Sequence, residues 1–547
     1  MAIDTSDRVS ADPEPSPAGS QAPASARTRL TALAILLPLV LMAVAGTLRF
    51  YRLGDPDRCY FDETYYYYDA RDLRQQGVED GFVVHPPLGK WLIAGGLALF
   101  GVPDGAPLDA DVIIEPSSCN ATDRDSDETA LTEEEAQSYA AAERREEAES
   151  FARRSAAALF GTLSVGVCYL AGLRLFRRRG VAALGALLLA VDGLAFTMSR
   201  IAMLDVFLGF WTLVGFWLLL VDRDRQWAGV RAAGGPLPEG ERPPGLPHRS
   251  RAFRWLAGLA FGLALATKVS ALLAIAAAGL FVLGSDLAWR KRITGRLFAQ
   301  PWRIVASGLL TLVAVPAAVY VVSYATWFAG FEHTEPGKRD CPEEGCPTTV
   351  SGQVARMAGD WWEEQGKIFR FHRDLDADHP YRATASSWPL LLRPVAYYYE
   401  NCTPEDVAAG EECAVAESNI AEILGIGNPM IWWMAVPAYL ILAWFAVRHR
   451  DATAAIILTF LLLHYLPWLT SPRAVFLFYM TPAVPFICLA LADAAGRAMG
   501  VRGLRWVPAA VAVVAVAGFV FWYPVLSGLE VSKAAWDLRI WIRPGWI

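Results

Sequence analysis

Ile304-Val-Ala-Ser-Gly-Leu-Leu-Thr-Leu-Val-Ala-Val-Pro-Ala-Ala-Val-Tyr-Val-Val-Ser-Tyr-Ala-Thr326 carries no charge from end to end. At 1.5 Å of rise per residue, a helix of this length crosses the ~30 Å hydrocarbon layer of a bilayer, and it is longer than most core helices of soluble domains. Working outward from it, comparable apolar blocks stand near residues 30–48, 155–175, 181–198, 203–221, 255–267, 269–286, 431–447, 453–469, 474–492 and 506–523. These predict an all-α polytopic membrane protein with about eleven spans. The pair 255–267 and 269–286 is nearly continuous and also fits one long helix, which would invert the topology downstream. Ala43-Val44-Ala45 mimics a signal-peptidase site, but the run before it is long and follows a polar tail, so it reads as an uncleaved span.

Composition agrees. Of 547 residues, 54% are hydrophobic and only 19% charged, and mean hydropathy is +0.29. A soluble enzyme, a disordered chain and a nucleic-acid binder are excluded. The net charge of −7 averages over unlike loops and carries little information.

Orientation comes from the basic loops. With a cytoplasmic N-terminus, Arg174 and Arg177-Arg178-Arg179, the linker 222–254, Arg290-Lys291-Arg292, Arg448 with Arg450, and Arg497, Arg502 and Arg505 all fall inside. The expected organisation is a disordered tail over 1–28 and a membrane domain over 29–526. Its outer loops are 50–154, with an acidic insertion over 105–150, and 327–430; an outer tail over 527–547 follows. Six cysteines lie in the outer loops, on the oxidising side. Proximity pairs Cys341 with Cys346 and Cys402 with Cys413, leaving Cys59 with Cys119; a zinc site is the rival for the first pair.

The chemistry concentrates at the outer rim. Asp62-Glu63 sits in Tyr60-Phe-Asp-Glu-Thr-Tyr-Tyr-Tyr-Tyr68, where aromatics suit an interface but carboxylates gain nothing from it. His85-Pro86-Pro87 makes a rigid turn before an apolar stretch too short to span, which carries Lys90. Arg200, Lys268 and Arg473 are lone cations near outer span ends, expensive there and therefore functional candidates. Three cations from separate hairpins suit one phosphate held at the outer leaflet. Asp205 is placed to orient Arg200 or to join the carboxylates. Asp192 and His464 read as structural. Acid beside cations above a membrane cavity fits a transferase with a lipid-phosphate donor, the carboxylate taking the acceptor's proton.

The motifs Phe61-Asp62-Glu63, His85-Pro86-Pro87-Leu88-Gly89-Lys90, Ser199-Arg200 with Leu204-Asp205, and Gly262-Leu-Ala-Leu-Ala-Thr-Lys268 run in order, as do Trp388-Pro389 with Arg393-Pro394 and Tyr479-Met-Thr-Pro482. As a set they resemble the protein O-mannosyltransferase family, its actinobacterial branch in particular. The resemblance implies a GT-C glycosyltransferase fold and inverting transfer of mannose from a polyprenyl-phosphate-mannose to Ser or Thr of secreted or membrane proteins. It implies a cell-membrane location and acceptors met near the Sec translocon, with membrane lipids as further partners and no nucleic acid. On the matching positions it makes Asp62 the base and Glu63 an acceptor-positioning group. It turns Arg200 and Lys268 to the donor phosphate, with Arg393 a further candidate; Arg473 and Lys90 join them from topology alone, with His85 and Asp205 in support. Val83 departs from the Asp common two residues before His-Pro-Pro, and a β-trefoil module has no room in the second outer loop. Asp62, Glu63 and Asp205 suit a divalent ion, but the cations make one dispensable, so no metal cofactor is expected. The rivals are an arabinosyl- or aminoarabinosyl-transferase of the same fold and, more remotely, a secondary transporter, which would hold its charges at mid-membrane.

Overall fold

The computed structural model describes residues 24–79, 83–101, 133–232, 251–298, 300–339, 347, 349–375, 379–410 and 413–546, without the side chains of 24–35, 133–148 and 229–232. Most of the expected tail, much of the acidic insertion and of the 222–254 linker, and Cys119, Cys341 and Cys346 lie outside these residues.

Eight helices among the described residues are long and apolar enough to cross a membrane: Glu149–Phe176, Asp205–Ala228, Ala271–Thr294, Pro301–Ser323, Pro429–Arg448, Ala452–Thr470, Leu477–Ala498 and Val507–Ser527. The expected count of eleven is not established. The first predicted span lies in the helix Ala24–Phe50, whose apolar part is Leu36–Phe50, and two others coincide with shorter apolar helices, Arg179–Ala190 and Ala252–Leu265. Ala252–Leu265 and Ala271–Thr294 are separate helices. The chain breaks between them because the Thr267 and Lys268 amides both turn back to the Ala264 carbonyl, at 3.1 and 3.0 Å. That turn is what brings Lys268 to the end of the bundle.

The Glu/Ala/Arg stretch before the second span is continuous with it, forming one helix, Glu133–Phe176. Arg153 and Arg154 therefore stand on a rigid rod. Pro86-Pro87 starts the Leu88–Phe100 helix, as their fixed φ dictates, and the Leu88 amide bonds to the Ala266 carbonyl at 3.1 Å. This contact joins the His85 turn to the Lys268 turn.

An all-α reading misses a small antiparallel sheet: β1 (Val395–Asn401), β2 (Asn419–Gly425) and β3 (Val531–Ser532), in that order. It consists of short pieces of the second outer loop and the C-terminal tail, which carry no span signal. Tyr-rich β1 and Ile-rich β2 fit a pleated surface, and β2 is buried against the Val507–Ser527 helix. A disulfide between Cys402 and Cys413 closes the excursion from β1 to β2. Cys59 is disulfide-bonded as well, and Cys168 and Cys488 are buried free thiols.

The two ends of the bundle differ. At one end Arg254 is held by Asp286 at 2.7 Å and Asp222 at 3.1 Å, with Arg251 on the same two carboxylates. The loops, the sheet and Asp62-Glu63 gather at the other. Arg254 is 2% exposed, so replacing it alone leaves two buried carboxylates with Arg251 as their remaining arginine. Arg254→Met is expected to cost about 3–5 kcal/mol, seen as a large drop in the melting temperature of the detergent-solubilised protein. An unchanged melting temperature would refute that role.

Candidate active site

Asp62 is the residue from which the Glu63–Gln75 helix starts. The preceding residue, Phe61, has φ of +54°, a left-handed conformation that bulky side chains rarely adopt. Its ring meets four others edge-on: His379 at 5.2 Å, Tyr397 at 5.9 Å, Phe476 at 5.5 Å and Phe478 at 5.6 Å. This cage comes from the second outer loop, β1 and the segment after Arg473. It offsets a backbone strain of order 1–3 kcal/mol and sets the turn that presents Asp62.

Asp62 itself has few partners. The Tyr66 hydroxyl donates to its Oδ2 at 3.3 Å. The charged groups acting on it are Lys268, Asp205 and Arg473. Burial pushes its carboxyl up to about 6, the opposing pull of Lys268 being smaller. Lys268 donates to Asp205 Oδ2 at 2.8 Å and lies over the Tyr479 and Phe478 rings, 5.3 and 5.7 Å from their centres. Burial works against the lysine's charge, but the pairing with Asp205 outweighs it and holds the amine above its ordinary range.

Arg473 donates to the Tyr479 hydroxyl at 2.5 Å and to the His372 carbonyl at 3.1 Å, and contacts His372 Nδ1 at 3.1 Å. His372 Nε2 lies 2.8 Å from the Val84 carbonyl, and its ring stacks on His85 at 5.0 Å. The His85 ring, tilted against Tyr66 at 5.9 Å, is buried with Nδ1 unbonded. Burial, then Lys268, keeps it well below the ordinary imidazole value, so it is neutral at pH 7. One acid able to take a proton, next to a paired lysine and an arginine, is the arrangement that a hydroxyl nucleophile and an anionic leaving group require.

Residues 135–330 match the family model described as dolichyl-phosphate-mannose-protein mannosyltransferase, and residues 357–546 that of the C-terminal four TMM region of protein-O-mannosyltransferase. A polyprenol-phosphate-mannose–protein mannosyltransferase of Mycolicibacterium smegmatis (strain MKD8) is 31% identical, over 93% of this chain and 92% of its own length. The chain belongs to the protein O-mannosyltransferase family. The relative of the same name from Mycobacterium tuberculosis (strain H37Rv) is 30% identical, over 92% of this chain and 90% of its own. The fold is likewise that of a Saccharomyces cerevisiae protein O-mannosyltransferase, the Pmt1–Pmt2 complex bound to the sugar donor. The TM-score is 0.67 at 14% identity, covering 95% of this chain and 94% of that one.

Several residues singled out in the sequence of this O-mannosyltransferase family member stand apart from Asp62. Glu63 is fully buried and points the other way. It accepts from Arg154 at 3.0 and 3.2 Å, from the Ala202 amide at 2.9 Å and from the Tyr60 amide at 3.0 Å, with Arg153 at 3.6 Å. Burial disfavours its charge, yet the two arginines hold the carboxyl below its ordinary range. It anchors the turn and has no oxygen left to position an acceptor.

Arg200 spans the C-terminal end of the first helix, donating to the carbonyls of Arg49 at 2.9 Å, Tyr51 at 2.6 Å and Arg52 at 2.8 Å. That is a capping role, and it turns the guanidinium away from Asp62. Lys90 is buried and pairs with Glu79, and with Asp69 at 3.2 Å. Arg393 donates to the carbonyls of Pro380 at 2.6 Å and Pro544 at 3.1 Å, fastening the outer loop to the C-terminal tail. Asp192 caps the Gly193–Met198 helix and accepts from Trp432 Nε1 at 2.9 Å; His464 bonds to the Phe460 carbonyl at 2.7 Å. Both are structural, as their sequence context implied.

Tyr66, His372 and Tyr479 are the site residues that sequence reasoning left without a role. Tyr66 looked like part of an interfacial belt, Tyr479 stood only as the start of a motif, and a lone histidine in an outer-loop helix has no local signature.

Phe61→Ala leaves the left-handed turn without its cage and is expected to lower kcat about 100-fold while donor binding stays within a few-fold. Glu63→Gln, by contrast, is expected to cost several kcal/mol of stability, read as a lost or strongly lowered melting transition. Equal effects of Asp62→Asn and Glu63→Gln on melting would contradict this division of labour.

Proposed function

We propose that this chain transfers mannose from a polyprenyl-phosphate-mannose to Ser or Thr hydroxyls of polypeptides at the extracytoplasmic face of the membrane. The observation that carries the reading is Asp62: a half-buried carboxylate with one hydroxyl neighbour, facing the Lys268–Asp205 pair and Arg473. The names of the relatives supply the substrate classes.

In the reaction, Asp62 removes the acceptor hydroxyl's proton as that oxygen attacks the anomeric carbon of the donor. The bond from that carbon to the phosphate oxygen breaks, and the polyprenyl phosphate leaves with the electron pair. Base and leaving group lie on opposite faces of the sugar, so the configuration inverts. Lys268 and Arg473 stabilise the charge that grows on the phosphate, and Asp205 and His372 hold them in place. Two fixed cations supply what a divalent ion would otherwise contribute, so the reaction is proposed to be metal-independent.

The basic loops support a cytoplasmic N-terminus with Asp62 outside, in the plasma membrane of a cell that secretes its acceptors. Acceptors reach the site still extended, as they leave the Sec translocon.

The test is transfer of labelled mannose from the polyprenyl-phosphate donor to a Ser/Thr-rich peptide by purified protein in EDTA. Label on the peptide is expected from the native chain and loss of at least about 1,000-fold from Asp62→Asn. Lys268→Met is expected to lose about 100- to 1,000-fold, the scale of removing one oxyanion-stabilising donor. Label appearing only on lipid or glycan would overturn the acceptor, and loss of activity in EDTA would overturn metal independence. The base acts only when deprotonated, so its raised pKa moves the acid limb of kcat/KM up to about pH 6. A profile flat down to pH 5 would exclude Asp62 as the base.

A further inference from the structure

A cavity of about 450 Å³ opens into the side of the bundle, at the end away from Asp62. It is lined by Leu37 and Leu41 of the first helix, by Val181, Ala183, Leu184 and Leu187 of the Arg179–Ala190 helix, and by Ala509 and Ala512 of the Val507–Ser527 helix. Its volume lies within the range of ligand pockets. Small residues make it: Ala183, Ala509 and Ala512 are in its lining, and Gly180 has open space where a side chain would stand.

The slot is not uniformly apolar. Arg178 is part of its wall, held by a hydrogen bond from Nη1 to the Gly496 carbonyl at 3.2 Å. Arg177 and Arg179 flank it. Met499 and Pro508 also line the slot, and the exposed connection between them carries Arg502 and Arg505. No carboxylate is in the lining. Of these five arginines, only Arg177 has an ion pair among the described residues, with Asp224 at 3.5 Å.

We infer that this slot binds an anionic glycerophospholipid, one acyl chain between the three helices and the phosphate-bearing headgroup on the arginine rim. An apolar slot alone would take any lipid. The rim makes the distinction, since basic pockets between membrane helices select anionic headgroups and each basic residue near the surface contributes a several-fold preference. The site is remote from the sugar-transfer chemistry, and its test does not depend on that chemistry.

The test is native mass spectrometry of the full chain, delipidated in detergent and then offered equimolar dioleoyl-phosphatidylglycerol and dioleoyl-phosphatidylcholine. The native protein is expected to retain the glycerol lipid at least about tenfold over the choline lipid. Arg179→Ser, half-buried, and Arg502→Ser, exposed, are each expected to lower that ratio about fivefold, with melting unchanged. Ala183→Trp fills the slot and is expected to abolish retention of both lipids at this site. Equal retention of the two lipids by the native chain would overturn the inference. So would an undiminished preference in both arginine variants, or a cross-link showing the N-terminal segment seated in the slot in place of lipid.

Discussion

The buried pairing of Glu63 with Arg154 is the constraint on which the site depends. Two adjacent carboxylates at the start of a helix cannot both face the same cavity without strong repulsion. Here the backbone sends them apart. Glu63 is neutralised by two arginines on the Glu133–Phe176 rod and by the amides of Tyr60 and Ala202, so its position is fixed on three sides. With that end nailed down, the left-handed turn at Phe61 leaves Asp62 one orientation, toward Lys268 and Arg473. Desolvation is then useful: it raises the affinity of Asp62 for a proton, which a general base needs, while its neighbour stays charged and inert.

The remaining charges are arranged with similar economy. Lys268 is tied to Asp205 and Arg473 to His372 and Tyr479, so each cation is held in position by its own partner. A histidine pair stacked at the edge adds shape without charge, because burial keeps His85 neutral. The Leu88–Ala266 backbone bond ties the lysine turn to the histidine turn.

Much of this was legible in the sequence, for definite reasons. Hydropathy marks a membrane helix because unsatisfied backbone cannot exist in lipid, and the predicted blocks are largely helical, the one over 181–198 broken at Val191-Asp192. Asp62, Lys268, Asp205, His85 and Arg473, which the structure brings together, stood out because charge and rigid proline turns at a span end are costly. The same logic misassigned Glu63, Arg200, Lys90 and Arg393. Cost at membrane depth shows that a charge has a purpose, but not whether its partner is a substrate, a helix end or another side chain. The sheet escaped notice because β1 and β2 pair within an outer loop that carries no span signal, and β3 adds only two residues from the C-terminal tail. His372 escaped because its meaning lies entirely in Arg473, 101 positions away.

The Glu63–Arg154 pair also has a consequence for descent. A buried ion pair tolerates the loss of both members far better than the loss of either. These two positions, 91 residues apart, therefore cannot drift separately. A lineage that abandons the second acid of the doublet is expected to change that face of the long helix as well, where Arg154 also donates to the carbonyls of Leu53 at 3.2 Å and Pro56 at 2.8 Å. Asp62 has no such exchange open to it. The doublet that looks like a repeated residue is thus two independent commitments, one negotiable with a distant partner and one not.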